Sequence, residues 1–208
     1  MRKAAALILM FLMACAPTAP AGTMERVDVY ATSAAGPWLD EMFDCAADLS
    51  VVLNVSADAA DITLRVGEPE GLVSYAYQID TEEILIAAHR ESPLQNLTLS
   101  QVRDLFAGRG DPSVQVWVYA SGEDIARAFD QLVMQGRSVT SFTRLAVSPQ
   151  HMAEVLNADV NAVGILPRHW MTGNVREVFS AGSVPVLALT QSEPQGVIHQ
   201  LIGCLQAK

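Results

Sequence analysis

The sequence predicts a layered α/β fold, because short apolar segments of period two alternate along the chain with segments of helical period. Strands are predicted at residues 27–30, 51–55 and 62–66, and a helix begins at Pro37, where a missing N–H costs nothing. Half of the 208 residues are hydrophobic and 6% are aromatic, which is typical of a globular protein with a substantial core. No internal repeat is visible, so neither a solenoid nor a propeller is expected.

The remaining elements continue the alternation. Residues 75–79 and 83–88 are predicted as two strands separated by Asp80 and Thr81. A capping box at Thr98 and Gln101 opens the clearest helix, which Gly108 ends. Further strands are expected at 114–119, 163–166 and 184–189, and helices at 123–135, after 148–149, and from 194 to the end of the chain.

The N-terminus has the features of an export signal. Arg2 and Lys3 precede an apolar run that is too short to cross a bilayer as a stable helix. Residues 12–15, Leu-Met-Ala-Cys, match a bacterial lipobox, which predicts lipidation of Cys15 and cleavage before it. An ordinary secretory cleavage near Ala21 is the alternative. Either way the mature chain is exported to the cell envelope, and the lipobox adds an anchor to the membrane.

Net charge limits the partners of the exported chain. Two of the 13 Lys and Arg residues precede Cys15, which leaves 11 against 23 acidic residues, a net charge of about −12. Such a surface repels phosphate backbones and anionic lipids, so nucleic acid is excluded as a partner and membrane contact is expected only through the lipid.

Two cysteines remain if Cys15 is lipidated. Cys45 and Cys204 lie in predicted helices, and in an oxidising compartment a disulfide between them is favoured over two free thiols. No spacing typical of a metal site or a cofactor occurs, and the four histidines are scattered. No catalytic motif was found, so an enzyme is not expected. The paired acids Glu82 and Glu83 are interpreted as solvated surface.

Several segments, in this order, resemble the phosphate-type substrate-binding proteins of ABC transporters. The most specific is the stretch from Ile84 to Gly108, with an apolar strand, a loop containing proline, and Leu-Thr-Leu-Ser-Gln before an apolar pair and Phe106. Supporting matches are Thr32-Ser33 after the first strand, Ser121-Gly122, and residues 163–166. The resemblance implies a two-lobed type II periplasmic binding protein-like fold, here with a reduced first lobe because residues 55–75 are short for the family.

The resemblance also implies a domain division and a binding site. Residues 1–14 form the signal peptide, 15–23 a spacer, 24–79 the first part of lobe 1, 80–182 lobe 2, and 183–208 the return to lobe 1. A small solute or anion is expected between the lobes at helix N-termini, held by Thr32, Ser33, Ser121 and Gly122. The alternative is that these residues only cap helices.

Two departures from the family pattern concern charge. Glu123 and Asp124 stand where the family usually has a hydroxyl residue, so they either repel a bound dianion or face away as first-turn acids of their own helix. Arg65 is the one candidate cation near the cleft, although such a residue is more often solvated.

The sequence therefore predicts a lipid-anchored solute-binding protein, with an ABC transporter permease as a possible partner. The alternative is an accessory lipoprotein that keeps the binding-protein scaffold without a ligand.

Overall fold

A computed structural model describes residues 25–208, which form one eight-stranded mixed sheet flanked by helices. In chain order the strands are β1 (Arg26–Ala31), β2 (Val52–Val55), β3 (Ile62–Val66), β4 (Tyr75–His89), β5 (Gln115–Val118), β6 (Arg144–Leu145), β7 (Ala162–Pro167) and β8 (Val175–Thr190). Their order in the sheet is β2-β1-β3-β8-β4-β7-β5-β6. The predicted signal peptide, the spacer and the lipidation site Cys15 lie outside the described residues. The predicted α/β class is confirmed, and the long strands β4 and β8 at the centre of the sheet join its two halves.

The first half of the sheet is lobe 1. Strand β1 (Arg26–Ala31) lies parallel to both β2 (Val52–Val55) and β3 (Ile62–Val66). A short 3₁₀ turn leads into α1 (Gly36–Leu49), which packs against α5 (Gly196–Gln206). The stretch between Val55 and Tyr75 contains only β3 and loops, in agreement with the short lobe 1 that the sequence predicts.

Lobe 2 is the other half. Strand β5 (Gln115–Val118) lies between β6 (Arg144–Leu145) and β7 (Ala162–Pro167), parallel to both. Helices α2 (Leu99–Phe106), α3 (Asp124–Phe129) and α4 (Pro149–Ala158) complete the lobe. The capping box predicted for α2 is present, with both hydrogen bonds formed between Thr98 and Gln101.

The strands that cross between the lobes are longer than the sequence predicts. One strand, β4 (Tyr75–His89), replaces the two expected at 75–79 and 83–88, and β8 (Val175–Thr190) begins nine residues before position 184. Polar residues inside these strands indicate loops when the sequence is considered alone. In the structure they lie within the strands, at the boundary between the lobes. Register irregularities at Gln78/Asp80 and Ile84/Leu85 bend the β4–β8 ladder at that boundary.

The helix predicted at 123–135 is also different in the structure. Its α-helical part is only Asp124–Phe129, and a π-helical turn, Asp130–Met134, follows. A π-helical turn widens the helix by one residue per turn, which hydrophobic periodicity in a sequence does not report.

The disulfide between Cys45 and Cys204 is confirmed. It joins α1 to α5 across a sequence separation of 159 residues, with the two Cα atoms 6.1 Å apart. Cys45 is fully buried in the core that α1 shares with the sheet. The bond therefore fastens the last helix of the chain to the first.

The acids Glu82 and Glu83 are not solvated surface, so the sequence interpretation is wrong here. The Glu82 side chain is 1% exposed and lies 2.8 Å from His169 Nδ1. The His169 ring packs at a tilt of 58° against Trp38 of lobe 1. Burial raises the pKa of Glu82, and His169 acts against that shift. Glu83 binds Arg168 at 2.6 Å. Both acids therefore hold the segment after β7 against the strands that join the lobes.

Candidate ligand site between the lobes

The site lies where strands of the two lobes end facing each other. β1 and β3 are parallel neighbours, so Thr32 after β1 and Val66 at the end of β3 lie at the same edge of the sheet. In lobe 2, the chain leaves β5 and reaches Ser121, Gly122 and Asp124 within six residues. A crevice outside the carboxyl ends of strands is the usual ligand position in open α/β sheets.

The Asp124 carboxylate of lobe 2 accepts hydrogen bonds from two donors of lobe 1. The Thr32 hydroxyl donates to Asp124 Oδ2 at 2.5 Å, and the Val66 backbone N–H donates to the same oxygen at 3.1 Å. The other oxygen, Oδ1, accepts from the N–H of Ile125 at 2.9 Å. Asp124 is only 3% exposed. Two donors of lobe 1 thus converge on one carboxylate oxygen that the protein itself supplies.

A second contact across the lobes runs beside the first. The Ser33 hydroxyl donates to Glu123 Oε2 at 3.2 Å. Glu123 is the residue that precedes α3, and its side chain makes no cap hydrogen bond. Asp124 therefore accepts from the Thr32 hydroxyl and Glu123 from the Ser33 hydroxyl, so neither acid faces away from lobe 1.

Arg65 is a buried residue of β3, next to Val66. Its Nε donates to the carbonyl oxygen of Gly67 at 2.9 Å, and the residue is 9% exposed, so it is not a solvated arginine. Burial lowers the pKa of the guanidinium, while the Asp124 carboxylate acts in the opposite direction. The positive charge of Arg65 thus stands near the position of the Asp124 carboxylate.

Ser121 and Gly122 complete the lobe 2 side and are both exposed. The Arg127 guanidinium donates to the Gly122 carbonyl oxygen at 2.6 Å, which fixes the turn before α3. Glu123, rather than Ser121 or Gly122, takes the N-cap position of α3. Thr32, at the start of the 3₁₀ turn, makes no side-chain cap bond. Thr32 thus stands at the N-cap position of the 3₁₀ turn without a side-chain cap bond, and Ser121 and Gly122 lie before the N-cap of α3.

The structure brings together Thr32, Ser33 and Arg65 on one side and the turn at residues 121–124 on the other. That Thr32, Ser33, Arg65, Ser121 and Gly122 bind a ligand remains a prediction. Sequence reasoning missed the backbone N–H of Val66, because a backbone donor carries no residue signal. It also treated Asp124 as a repulsive or outward-facing group, whereas the side chain is an acceptor shared by two lobe 1 donors.

Residues 25–208 contain no cluster of three or more His, Cys, Asp or Glu side chains that is arranged to hold a metal ion. Within the same range, none of the helices combines the length and the apolar character needed to span a bilayer.

Comparison with solved structures identifies the architecture. A protein from Clostridium perfringens, described as a phosphate ABC transporter substrate-binding protein with bound phosphate, aligns with a TM-score of 0.78 at 15% identity, over 87% of this chain and 93% of that one. An ABC-type phosphate transport receptor from Vibrio cholerae aligns with a TM-score of 0.67 at 14% identity, over 86% and 93%. This chain has the two-lobed type II binding-protein fold.

The same fold also occurs in regulatory domains. The regulatory domain of Synechocystis CcmR, in complex with 2-PG, aligns with a TM-score of 0.67 at 14% identity, over 88% of this chain and 97% of that one. No protein-family model matches the sequence, and no curated protein matches it either. The resemblance that the sequence suggests is therefore confirmed for the fold, and the ligand has to be argued from the crevice of this chain.

Proposed function

We propose that this protein is an extracytoplasmic solute-binding protein that closes its two lobes over a small oxyanion. One observation carries the proposal: two donors of lobe 1, the Thr32 hydroxyl and the Val66 N–H, already converge on a carboxylate oxygen brought by lobe 2. A crevice that orders one anionic oxygen in this way has the donor geometry that an oxyanion needs. The fold shared with two phosphate receptors supports the same assignment.

The Asp124 carboxylate restricts the class of anion. An acceptor-only dianion about 4 Å from Asp124 is repelled by roughly 4 kcal/mol at an effective dielectric of 20, which is about a thousandfold in affinity. An anion that keeps a proton can instead donate a hydrogen bond to the carboxylate. We therefore expect the crevice to prefer a protonated oxyanion, such as phosphate near neutral pH, over sulfate.

The exported, anchored state belongs to the same proposal. The lipobox at residues 12–15 supports a lipid on Cys15, and an ABC transporter permease is the partner that a receptor of this fold would serve. In bacteria expressing the full chain, Cys15→Ala should move the protein from the membrane fraction to the soluble fraction. A variant that stays in the membrane fraction would contradict the anchor.

Calorimetric titration of the mature chain tests the ligand. Phosphate and sulfate are titrated into the unmodified protein and into Asp124→Ala. The control is Glu154→Gln, which removes an exposed acid of α4 and changes the net charge equally. Phosphate should bind the unmodified protein at least tenfold more tightly than sulfate. Asp124→Ala should improve sulfate binding by ten- to a thousandfold and so remove the preference, and the control should leave it unchanged.

A second result would overturn the proposal. If phosphate, sulfate, molybdate, amino acids and metal ions at millimolar concentration neither release heat nor raise the melting temperature, in the unmodified protein and in Asp124→Ala, then the crevice does not hold a solute. The accessory role, in which the scaffold presents a surface to other envelope proteins, would then replace it.

A further inference from the structure

The outer face of lobe 2, at the β6 edge of the sheet, differs in charge from the rest of the chain. Residues 131–153 contain no Asp or Glu, which is the longest such interval between residues 25 and 208, and they include Arg137 and Arg144. Both arginines are exposed, and neither has an ion-pair partner within residues 25–208. The Arg144 guanidinium lies over the Trp117 ring, 5.6 Å from its centroid.

Helix α2 and the turn after it add two arginines to this face. Arg103 and Arg109 line a shallow cavity together with Arg137. Arg103 Nη2 donates to the Gln135 side chain at 2.8 Å, and the Thr140 N–H donates to a carbonyl oxygen at the end of α2 at 2.9 Å. The helix and the loop before β6 therefore form one continuous surface. We call it the arginine face and define it by Arg103, Arg109, Arg137 and Arg144.

Three carboxylates lie at or beside the arginine face, and each already has a partner. Asp104 binds Arg109 at 2.6 Å. Asp111 and Asp130 accept from backbone N–H groups at 2.8 Å and 3.2 Å. The arginines thus outnumber the carboxylates here, whereas over the mature chain 23 acidic residues stand against 11 basic ones. The sign of the local charge is therefore opposite to that of the whole protein.

Exposed apolar side chains lie next to these arginines. Phe142 is 92% exposed, Leu145 59% and Val147 77%. Phe142 and Arg144 also line the same cavity at the end of α2. An exposed aromatic side chain beside several cations is typical of surfaces that lie on anionic bilayers, because the ring enters the headgroup boundary while the cations bind lipid phosphates.

We propose that the arginine face docks on an anionic phospholipid bilayer and orients the tethered protein with the outer edge of lobe 2 against it. At physiological ionic strength, charges act strongly only within about 8 Å. The arginine face can therefore attract lipid phosphates although the whole chain is acidic, and repulsion of the acids on other faces favours the same orientation. The inference goes beyond the proposed function, because it involves neither the crevice nor its ligand.

The proposed lipid anchor is compatible with this contact. Strand β6 lies six strands away from β1 in the sheet, which is about 29 Å at about 4.8 Å per strand. Residues 16–24 separate Cys15 from the first described residue, and a chain of that length can span about 30 Å. A lipid at Cys15 therefore permits the arginine face to reach the same bilayer.

Hydrogen exchange of the tethered protein tests the docking. Because Cys45 and Cys204 are joined, the thiol of Cys15 can be coupled selectively to a maleimide phospholipid, whether or not cells attach a lipid there. Vesicles of phosphatidylglycerol and phosphatidylethanolamine in equal amounts are compared with vesicles of phosphatidylcholine. On the anionic vesicles, the amides of residues 137–143 should exchange at least fivefold more slowly, about the gain from one arginine at an anionic surface.

An exposed loop of lobe 1 provides the internal control. Residues 67–74 include Val73, which is 97% exposed, but they carry Glu68 and Glu70 in place of arginines. Their amides should exchange at the same rate on both kinds of vesicle, because an apolar side chain beside acids has no attraction to lipid phosphates.

Paired substitutions separate local charge from net charge. Arg137→Gln with Arg144→Gln should abolish the protection of residues 137–143. The matched control, Arg26→Gln with Lys208→Gln, removes two exposed cations of lobe 1 and changes the net charge equally, so it should retain the protection. Phe142→Ser should weaken the protection while it leaves the charge unchanged.

Several results would overturn the proposal. These are equal exchange of residues 137–143 on the two kinds of vesicle, and equal loss of protection in the two paired variants. Protection that appears without vesicles and grows with protein concentration would assign the face to a second copy of this chain instead. Calorimetric titration with phosphate reports on the crevice alone, so failure of either proposal leaves the other standing.

Discussion

The contact of Asp124 with lobe 1 predicts a stability defect that a small anion repairs. Asp124→Ala removes the acceptor of the Thr32 hydroxyl and of the Val66 N–H. Val66 is fully buried, so its N–H loses its partner without gaining water, whereas half-buried Thr32 can turn toward solvent. A hydrogen bond to a charged group contributes about 1.5–3 kcal/mol, and two of them share this carboxylate. We expect a loss of about 2–5 kcal/mol in the free energy of unfolding.

Urea denaturation of the mature chain, followed by circular dichroism, measures that loss. Formate then supplies the missing carboxylate, because it fits the space that the shortened side chain leaves. At a concentration a hundredfold above its dissociation constant, formate should restore about 2.7 kcal/mol. The unmodified protein should gain nothing from formate beyond the effect of ionic strength, because formate carries no proton at neutral pH and, unlike phosphate, cannot donate a hydrogen bond to Asp124. Sodium chloride at equal concentration controls for ionic strength.

Thr32→Val is the matched control for the rescue. It deletes one donor and leaves the carboxylate in place, so it should cost about 1 kcal/mol and should not respond to formate. The reasoning fails if Asp124→Ala is as stable as the unmodified protein. It also fails if formate stabilises the unmodified protein and Thr32→Val as much as it stabilises Asp124→Ala.

Three further predictions concern stability alone. Cys45→Ala should lower the free energy of unfolding by up to about 5 kcal/mol under oxidising conditions, because the bond closes a very long loop, and dithiothreitol should remove the difference; a variant as stable as the oxidised protein would refute this. Burial raises the folded pKa of Glu82 above its ordinary value of 4.5, so the stability linked to its proton is present below pH 4.5 and is lost as pH rises through the raised pKa. Glu82→Gln does not titrate, and its stability relative to the unmodified protein should therefore increase with pH across that window in urea titrations; a constant difference would argue against the burial effect. Gly164→Ala places a methyl group inside van der Waals contact with the sulfur of buried Met152 and should cost about 1–3 kcal/mol in thermal unfolding. Gly203→Ala, in α5 with no atom within 4 Å, should instead stabilise by about 0.5–1 kcal/mol, and similar effects of the two substitutions would contradict the packing argument.

The proposed receptor also has a consequence for its resting state. A ligand shifts an open–closed equilibrium only by its differential affinity for the two states. Because Asp124 and Glu123 already join the lobes through Thr32 and Ser33, part of the closed arrangement is stabilised without ligand. A solute must therefore add contacts beyond those the two acids make.

The sequence by itself determined the alternation of strands and helices, the capping box at Thr98 and the pairing of Cys45 with Cys204. These features depend on local periodicity, on side chains within one turn of each other, and on the small number of cysteines. It also placed Thr32, Ser33, Ser121 and Gly122 near one crevice, through the order of segments that resembles a known fold.

Only the tertiary structure decided what the polar residues do. The length of β4 depends on its pairing with β8 and β7, and Glu82 is buried beside His169, which is 87 residues away in the sequence. Asp124 and Thr32 are 92 residues apart in sequence. They meet because β1 of lobe 1 and β5 of lobe 2, which precede them, end on opposite sides of the same crevice. An acidic residue in a sequence predicts repulsion of anions or exposure to solvent. In the folded crevice the carboxylate can instead bind a backbone N–H, and the residue type does not predict such a donor.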